Sequence, residues 1–275
     1  IEPSRGLGDV YKRQLPFWTY QLAKITSDNS HMPSKHDQIA EELILDVLTG
    51  SYRPGERLPS ERDLAARFEA NRGAVREAMK KLEQIGLAEI SPGGARAKAK
   101  SEASLDVIGY LLRQGAFPDQ SLVHQILSVI QQFAALAAEE AVTKADDDKI
   151  ENISAALNRL HAETLTQEEH NLARLELMQL MMQVSGNLPL QIIARSLFEQ
   201  FAPNMSALAD FFEVDHRSFA LHAAQLEDAI KKRDIPTVRS TFQKLAEMTQ
   251  MSIENAYDKA ARSTLSEANN AMGNI

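Results

Sequence analysis

Pro59–Leu87 reads PSERDLAARFEANRGAVREAMKKLEQIGL, and this stretch decides the fold of the part of the chain around it. Ser60 is placed to cap a first short helix, with Asp63 three residues on in an approximate capping box; Leu64, Ala65 and Phe68 give that helix an apolar face. Asn71 caps a second helix, on which Val75, Ala78, Met79 and Leu82 recur at helical spacing and face a core. Arg72, Arg76 and Lys80 fall on a separate stripe. Two short helices joined by a tight turn, with a basic stripe starting at the first residues of the second, are what a helix-turn-helix needs. Its second helix enters the major groove by that end, where guanidinium groups meet phosphates and guanine edges. Gly73, without a side chain, lets the backbone come close.

Working outward, RPGERLPSERDL (53–64) lies upstream and IGLAEISPGGARAKA (85–99) downstream. The first supplies a Pro54-Gly55 turn and the second a two-stranded hairpin with a Gly93-Gly94 tip. An earlier helix is predicted over His36–Thr49, with Ile39, Leu43, Ile44, Val47 and Leu48 on its buried side and Gly50 ending it. Helix, helix-turn-helix and hairpin in that order spell a winged helix. In this order of PG turn, LPSER, NR..VREA and GL before the wing, Gln38 to Ala99 resembles the GntR family of bacterial transcription regulators. The resemblance implies DNA contacts at Arg62, Arg72 and Arg76, a phosphate contact at Asn71 and a groove contact at Gly93. Arg96 in the wing is a looser candidate, with a solvated loop charge as the alternative. Where the family often has Gly at the turn, this chain has Glu69, which leaves the turn geometry open.

The net charge of −8 opposes a nucleic-acid partner only if it is spread evenly. It is not. Residues 32–100 hold 12 Lys plus Arg against 11 Asp plus Glu, while 101–275 hold 14 against 24. Within 71–100 the count is 7 basic to 3 acidic, so positive charge concentrates on the second helix and the wing. The absence of cysteine excludes disulfides and thiolate metal sites and fits a cytoplasmic protein.

Beyond Ser104 strand signals vanish and turn residues separate long stretches of helical periodicity. Helices are expected at 104–114, 120–143, 146–164, 168–184, 188–212, 215–233 and 235–260, joined by short connections that favour antiparallel neighbours. Met178, Met181 and Met182 read as adaptable core. The fold class is therefore mainly α, with an amino-terminal winged helix-turn-helix domain and a carboxy-terminal antiparallel all-α bundle. Such a bundle, with MMQVSGNLPL at a helix junction, resembles the FadR/FCD branch of the family.

In many FCD proteins an Asp and three His hold a metal that orders a small carboxylate effector. Setting SGN in register puts Arg174 at the Asp position and Met178 at the first His, while Leu245 and either Ala223 or His222 take the other two. No metal or other cofactor is expected from that set, and His161, His170, His216 and His222 read as surface or ordinary interior histidines. Arg174 is a candidate to bind an anionic effector directly, with His222 beside it; the alternative is an ion pair with Glu176 or Glu227. The acyl-CoA-responsive FadR regulators share the layout LDVIGYLLRQG then LVHQILSVIQQF, but Leu122–Val142 has no Arg or Lys to hold an anion. Carboxylate and acyl-CoA both stay open as effector classes.

SRGLGDVYKRQ (4–14) resembles a translated transposase-type sequencing adapter. Residues 1–31 are accordingly read as a non-native leader, with Met32 as the natural start; the alternative is an ordered helix at LPFWTYQLAKI. Domains are expected at 32–100 (winged helix), 101–118 (linking helix) and 119–262 (effector binding and dimerisation), with a flexible tail at 263–275 and no membrane segment. Gly-rich phosphate loops, a nucleophile elbow and HExxH are all missing, which argues against an enzyme. The expected function is a homodimeric, ligand-responsive regulator, most often a repressor in this family, on a pseudo-palindromic operator in double-stranded DNA. The alternative is a DNA-binding structural protein with no effector.

Overall fold

The computed structural model describes residues 34–161 and 165–272, with side chains as far as 264. The expectations for 1–31 and for LPFWTYQLAKI fall outside the described residues. The chain divides into two compact units, one reaching Leu122 and including Ser196–Asn204, the other made of Val123–Arg195 and the residues from Met205 on.

In the first unit, α1 (Lys35–Leu48) is capped by Ser34, whose Oγ accepts from the Asp37 amide, and buries Ile39, Ala40, Leu43, Ile44 and Val47. α2 (Glu61–Arg67) is capped by Ser60 and α3 (Arg72–Gln84) by Asn71, as the sequence indicates. α3 turns Val75, Ala78, Met79 and Leu82 into a core that also holds Leu58, Leu64 and Leu87. Each of the larger side chains in this set, removed from water, contributes about 1.5–3 kcal/mol. The wing is β1 (Ala88–Ser91) paired antiparallel with β2 (Gly94–Ala97), in register Ala88↔Ala97 to Ser91↔Gly94. Its outer edge is stitched to the approach segment, the Gly55 amide donating to Ala97 O at 2.7 Å and the Leu58 amide to Ala95 O at 2.9 Å. A short helix, α4 (Val107–Leu112), adds Val107 to the same core.

The turn between α2 and α3 carries a left-handed residue, Glu69 at φ +47°, closed by a bond from the Ala70 amide to Ala65 O at 3.0 Å. The turn that the family often builds with glycine is therefore made with a side chain present, at a cost of about 1–2 kcal/mol. Glu69→Gly is expected to stabilise the protein by about 0.5–1 kcal/mol, the relief of strain less the extra freedom of glycine in the unfolded chain. An unchanged or lower urea midpoint would show that the turn is not left-handed in solution.

The second unit is helical throughout its described regular structure: α5 (Gln120–Lys144), α6 (Asp147–Arg159), α7 (Gln167–Ser185), α8 (Leu188–Phe201), α9 (His216–Lys231) and α10 (Ile235–Met272). α8 carries over into the first unit's Ser196–Asn204. Asp146 caps α6, a Thr166–Glu169 capping box starts α7, and Gly186 at φ +63° ends it. The core gathers Ala137, Ala141, Ile153, Leu157, Leu177, Met181, Leu226 and Val238; Met181 and Met182 are packed as expected, while Met178 is half-buried and lies outside this cluster.

Two expectations are corrected. The helix predicted over 188–212 stops at Phe201 and continues as 3₁₀ turns over Ala202–Phe211. Pro203 has no amide to donate, and the Asn204 side chain bonds back to Gln200 O at 2.7 Å. The last helix, expected over 235–260, instead runs on to Met272, because the segment 262–272, RSTLSEANNAM, contains no Gly or Pro to break it before Gly273.

α5 has the length and composition of a membrane span, with mean hydropathy 1.3 over its most apolar window. It nonetheless places Ala137, Ala138, Ala141 and Val142 in the core of the helical unit and carries Glu139, Glu140 and Lys144. Only 28% of that window is buried, and Val129 and Leu136 of the same helix stay exposed, so the core accounts for part of its apolar character.

Candidate functional site

The start of α3 is fixed by its cap. Asn71 Oδ1 accepts from the Ala74 amide at 2.8 Å, which leaves the Asn71 amide nitrogen free to donate outward. Gly73 lies within that cap, and a Cβ there would meet Asn71 Oδ1 at 3.1 Å. Arg72 and Arg76 are exposed on the same helix. Arg76 meets Glu61, the first residue of α2, through both arms of its fork, Nε to Oε1 at 3.1 Å and Nη2 to Oε2 at 2.9 Å. That bond, with further attraction from Arg76 and Arg72, holds the Glu61 carboxyl below its usual range, and Arg76 is raised in turn. Arg62 is the neighbour of Glu61 and is 78% exposed, 3.6 Å from Asp63. Arg62, Arg72 and Arg76 are thereby gathered around the first turn of α2, while Lys80 bonds to Glu77 at 2.9 Å.

The wing is positioned by a residue that the sequence pattern does not single out. Arg57 Nη2 donates to Gly93 O at 2.5 Å, and its guanidinium lies where a Cβ on Gly94, at φ +110°, would come within 2.9 Å. The available signal is its place after the Pro54-Gly55 turn, in the extended segment that bridges to Arg96. Arg96 is exposed, but it is not a solvated loop charge: it lies in β2 and donates from Nη1 to Gly55 O at 2.8 Å.

In the helical unit Arg174 pairs with neither carboxylate expected for it. Glu176 bonds to Arg159, and Glu227 bonds to Lys231 at 2.5 Å and to Asn158 at 3.3 Å. Arg174 instead donates to Thr249 Oγ1 at 2.6 Å and lies over the Phe219 ring at 4.9 Å. Burial draws its guanidinium down to about 10, so it keeps its charge at neutral pH. His222, one turn beyond Phe219 on α9, is half-buried with an enclosed Nδ1 that no described residue bonds. A surface cavity of this unit, about 530 Å³, is lined by Val214, Ser218, Met248, Ser252, Lys259 and Arg262 among others, and by neither Arg174 nor His222.

Comparison with known proteins bears on the first unit above all. The profile of "Bacterial regulatory proteins, gntR family" matches residues 35–96. The chain is similar to the HTH-type transcriptional regulator Mce2R of Mycobacterium tuberculosis, 35% identical over 129 residues that make up 46% of this chain and 54% of that protein. It is also similar to the HTH-type transcriptional repressor NanR of Cronobacter sakazakii, 26% identical over 202 residues, 72% of this chain and 77% of that one. Among solved structures, E. coli McbR/YncC has 18% identity and a TM-score of 0.44, covering 83% of this chain and 99% of its own. The chain spans about half the length of the first curated relatives it matches. Residues 35–96, with caps, basic face and wing in place, form a winged helix-turn-helix that the gntR family profile matches.

Proposed function

We propose that this chain is a DNA-binding transcription regulator of the FadR/FCD type, working as a homodimeric, ligand-responsive repressor on a pseudo-palindromic operator. The observation that carries the reading is the exposed pair Arg72 and Arg76 at the amino-terminal end of a capped α3, beside a wing of fixed shape. On this reading Arg62, Arg72 and Arg76 reach phosphates or base edges, Asn71 and the Gly73 backbone contact the phosphate chain, and Gly93 and Arg96 follow the groove from the wing. Relatives named as regulators and repressors support it. A second copy of the chain is supported by the apolar residues that α5 leaves exposed at helical spacing, Val129 at 44% and Leu136 at 43%.

The test is a fluorescence-anisotropy titration of the chain against its own upstream DNA and a scrambled duplex, over a range of salt. Binding at least ~10³-fold tighter to the specific duplex, falling steeply with salt, is the expected result. Equal affinity for both duplexes would favour a non-specific structural role or a distant operator. No binding to either would remove the reading.

A further inference from the structure

The ion pair between α2 and α3 decides which chemistry Arg76 can read. Arg76 gives its Nε hydrogen and one Nη2 hydrogen to the two oxygens of Glu61, at 3.1 and 2.9 Å. A guanidinium has five donor hydrogens, so three remain. Two of these, one on Nη1 and one on Nη2, lie parallel at the end of the group. The Arg76 side chain is 61% exposed, and no other described residue takes its remaining hydrogens. Arg72, one turn earlier on α3, is hydrogen-bonded to no carboxylate among the described residues, so the pairing distinguishes the two arginines of this face.

The carboxylate acts on Arg76 in two ways. Two parallel bonds fix the plane of the guanidinium before any ligand arrives, so the freedom of a long side chain is not lost on binding. Glu61 is also ionised at neutral pH, because its bond to Arg76 holds the carboxyl below its usual range, and the pair therefore carries no net charge. Attraction to phosphates follows charge, whereas a base edge is read by the arrangement of donors. Among the bases only guanine offers two acceptors side by side in the major groove, O6 and N7, to match two parallel N–H groups. We infer that Glu61 is a positioning residue for sequence recognition: it sets the end fork of Arg76 toward a guanine and cancels the charge that would otherwise favour any phosphate. This deepens the DNA-binding reading given above and rests on it, adding Glu61 and naming the base.

The test uses the full chain and a specific duplex that the wild type selects from a library with a randomised centre; a scrambled duplex is the control. Wild type, Glu61→Gln, Arg76→Ala and the double variant are titrated by fluorescence anisotropy over a range of salt. Glutamine has the shape of glutamate and an exposed pair contributes little to stability, so the thermal midpoints should agree closely. In the wild type, replacing one particular G·C pair by A·T should cost about 5- to 150-fold in affinity, and 7-deazaguanine at that position, which lacks the N7 acceptor, should weaken binding as well. In Glu61→Gln that discrimination should shrink by roughly threefold or more, because the fork is no longer held to the base. Binding to the scrambled duplex should instead tighten, by about 3- to 10-fold at about 0.1 M salt, with a salt slope steeper by about 0.9. Opposite movements on the two duplexes are not what the loss of a merely structural tie produces. With Arg76→Ala already in place, Glu61→Gln should leave discrimination at that base pair unchanged, since no fork remains to be held.

Equal weakening of both duplexes by Glu61→Gln, or no change on either, overturns the inference. So does wild-type indifference to 7-deazaguanine at every guanine of the selected duplex. A changed preference at a base pair that Arg76→Ala leaves alone also overturns it, for Glu61 would then be the reader, its carboxylate accepting from cytosine N4. If the wild type selects no sequence, the regulator reading fails and the role of Glu61 with it; a selected sequence to which Glu61→Gln is indifferent removes only the role of Glu61.

Discussion

Arg76→Ala is expected to weaken binding to specific DNA by roughly 5- to 150-fold, the loss of one good bidentate contact, and Arg72→Ala to do the same. Neither should change the thermal midpoint much. Arg72 and Arg76 are exposed, and an exposed ion pair such as Arg76 with Glu61 contributes little to stability. The pattern across duplexes assigns each contact. A side chain on a base edge relaxes specificity at one position, whereas one on a phosphate weakens all duplexes alike and lowers the salt slope by about one. Unchanged affinity in both variants would mean that the basic face of α3 is only a solvated helix surface.

Gly86→Ala should produce the largest loss of stability, about 2–4 kcal/mol in urea denaturation. Gly86 sits at φ +81°, where a side chain costs about 1–2 kcal/mol by itself. A Cβ there would also meet Glu102 O at 2.9 Å and the Ala103 Cα at 3.1 Å, and both are backbone atoms that cannot swing aside. Gly50 provides the control. It has φ +86° with nothing within 4 Å of a Cβ, so Gly50→Ala should show only the left-handed cost. Equal losses in the two variants would show that the close approach to Glu102 and Ala103 relaxes freely.

Local features are the legible ones in this sequence. Ser60 and Asn71 cap the helices assigned to them, and the apolar spacing of Val75, Ala78, Met79 and Leu82 places α3 against its core. The wing follows from its Gly93-Gly94 tip. Harder to read are features set by partners far along the chain. Arg57 and Gly93 are 36 residues apart, and nothing in GER marks its arginine as the one that bonds the wing tip. Arg174 has two glutamates within helical reach or on a facing helix, yet Arg159 and Lys231 take them, and its real partner is 75 residues on. His170 has the sequence surroundings of an ordinary interior histidine. The break of α8 near Pro203 is marked by the proline itself, but the apolar periodicity around it points the other way.

The clamp of Arg57 on the wing tip has a consequence for the thermodynamics of recognition. A hairpin tip of Pro92, Gly93 and Gly94 left to itself would lose conformational freedom on meeting a groove, and that loss would be subtracted from affinity. Held by a guanidinium from the body of the domain, the tip is ordered when the chain folds. The entropy of shaping it then belongs to folding, and the wing meets its partner preorganised.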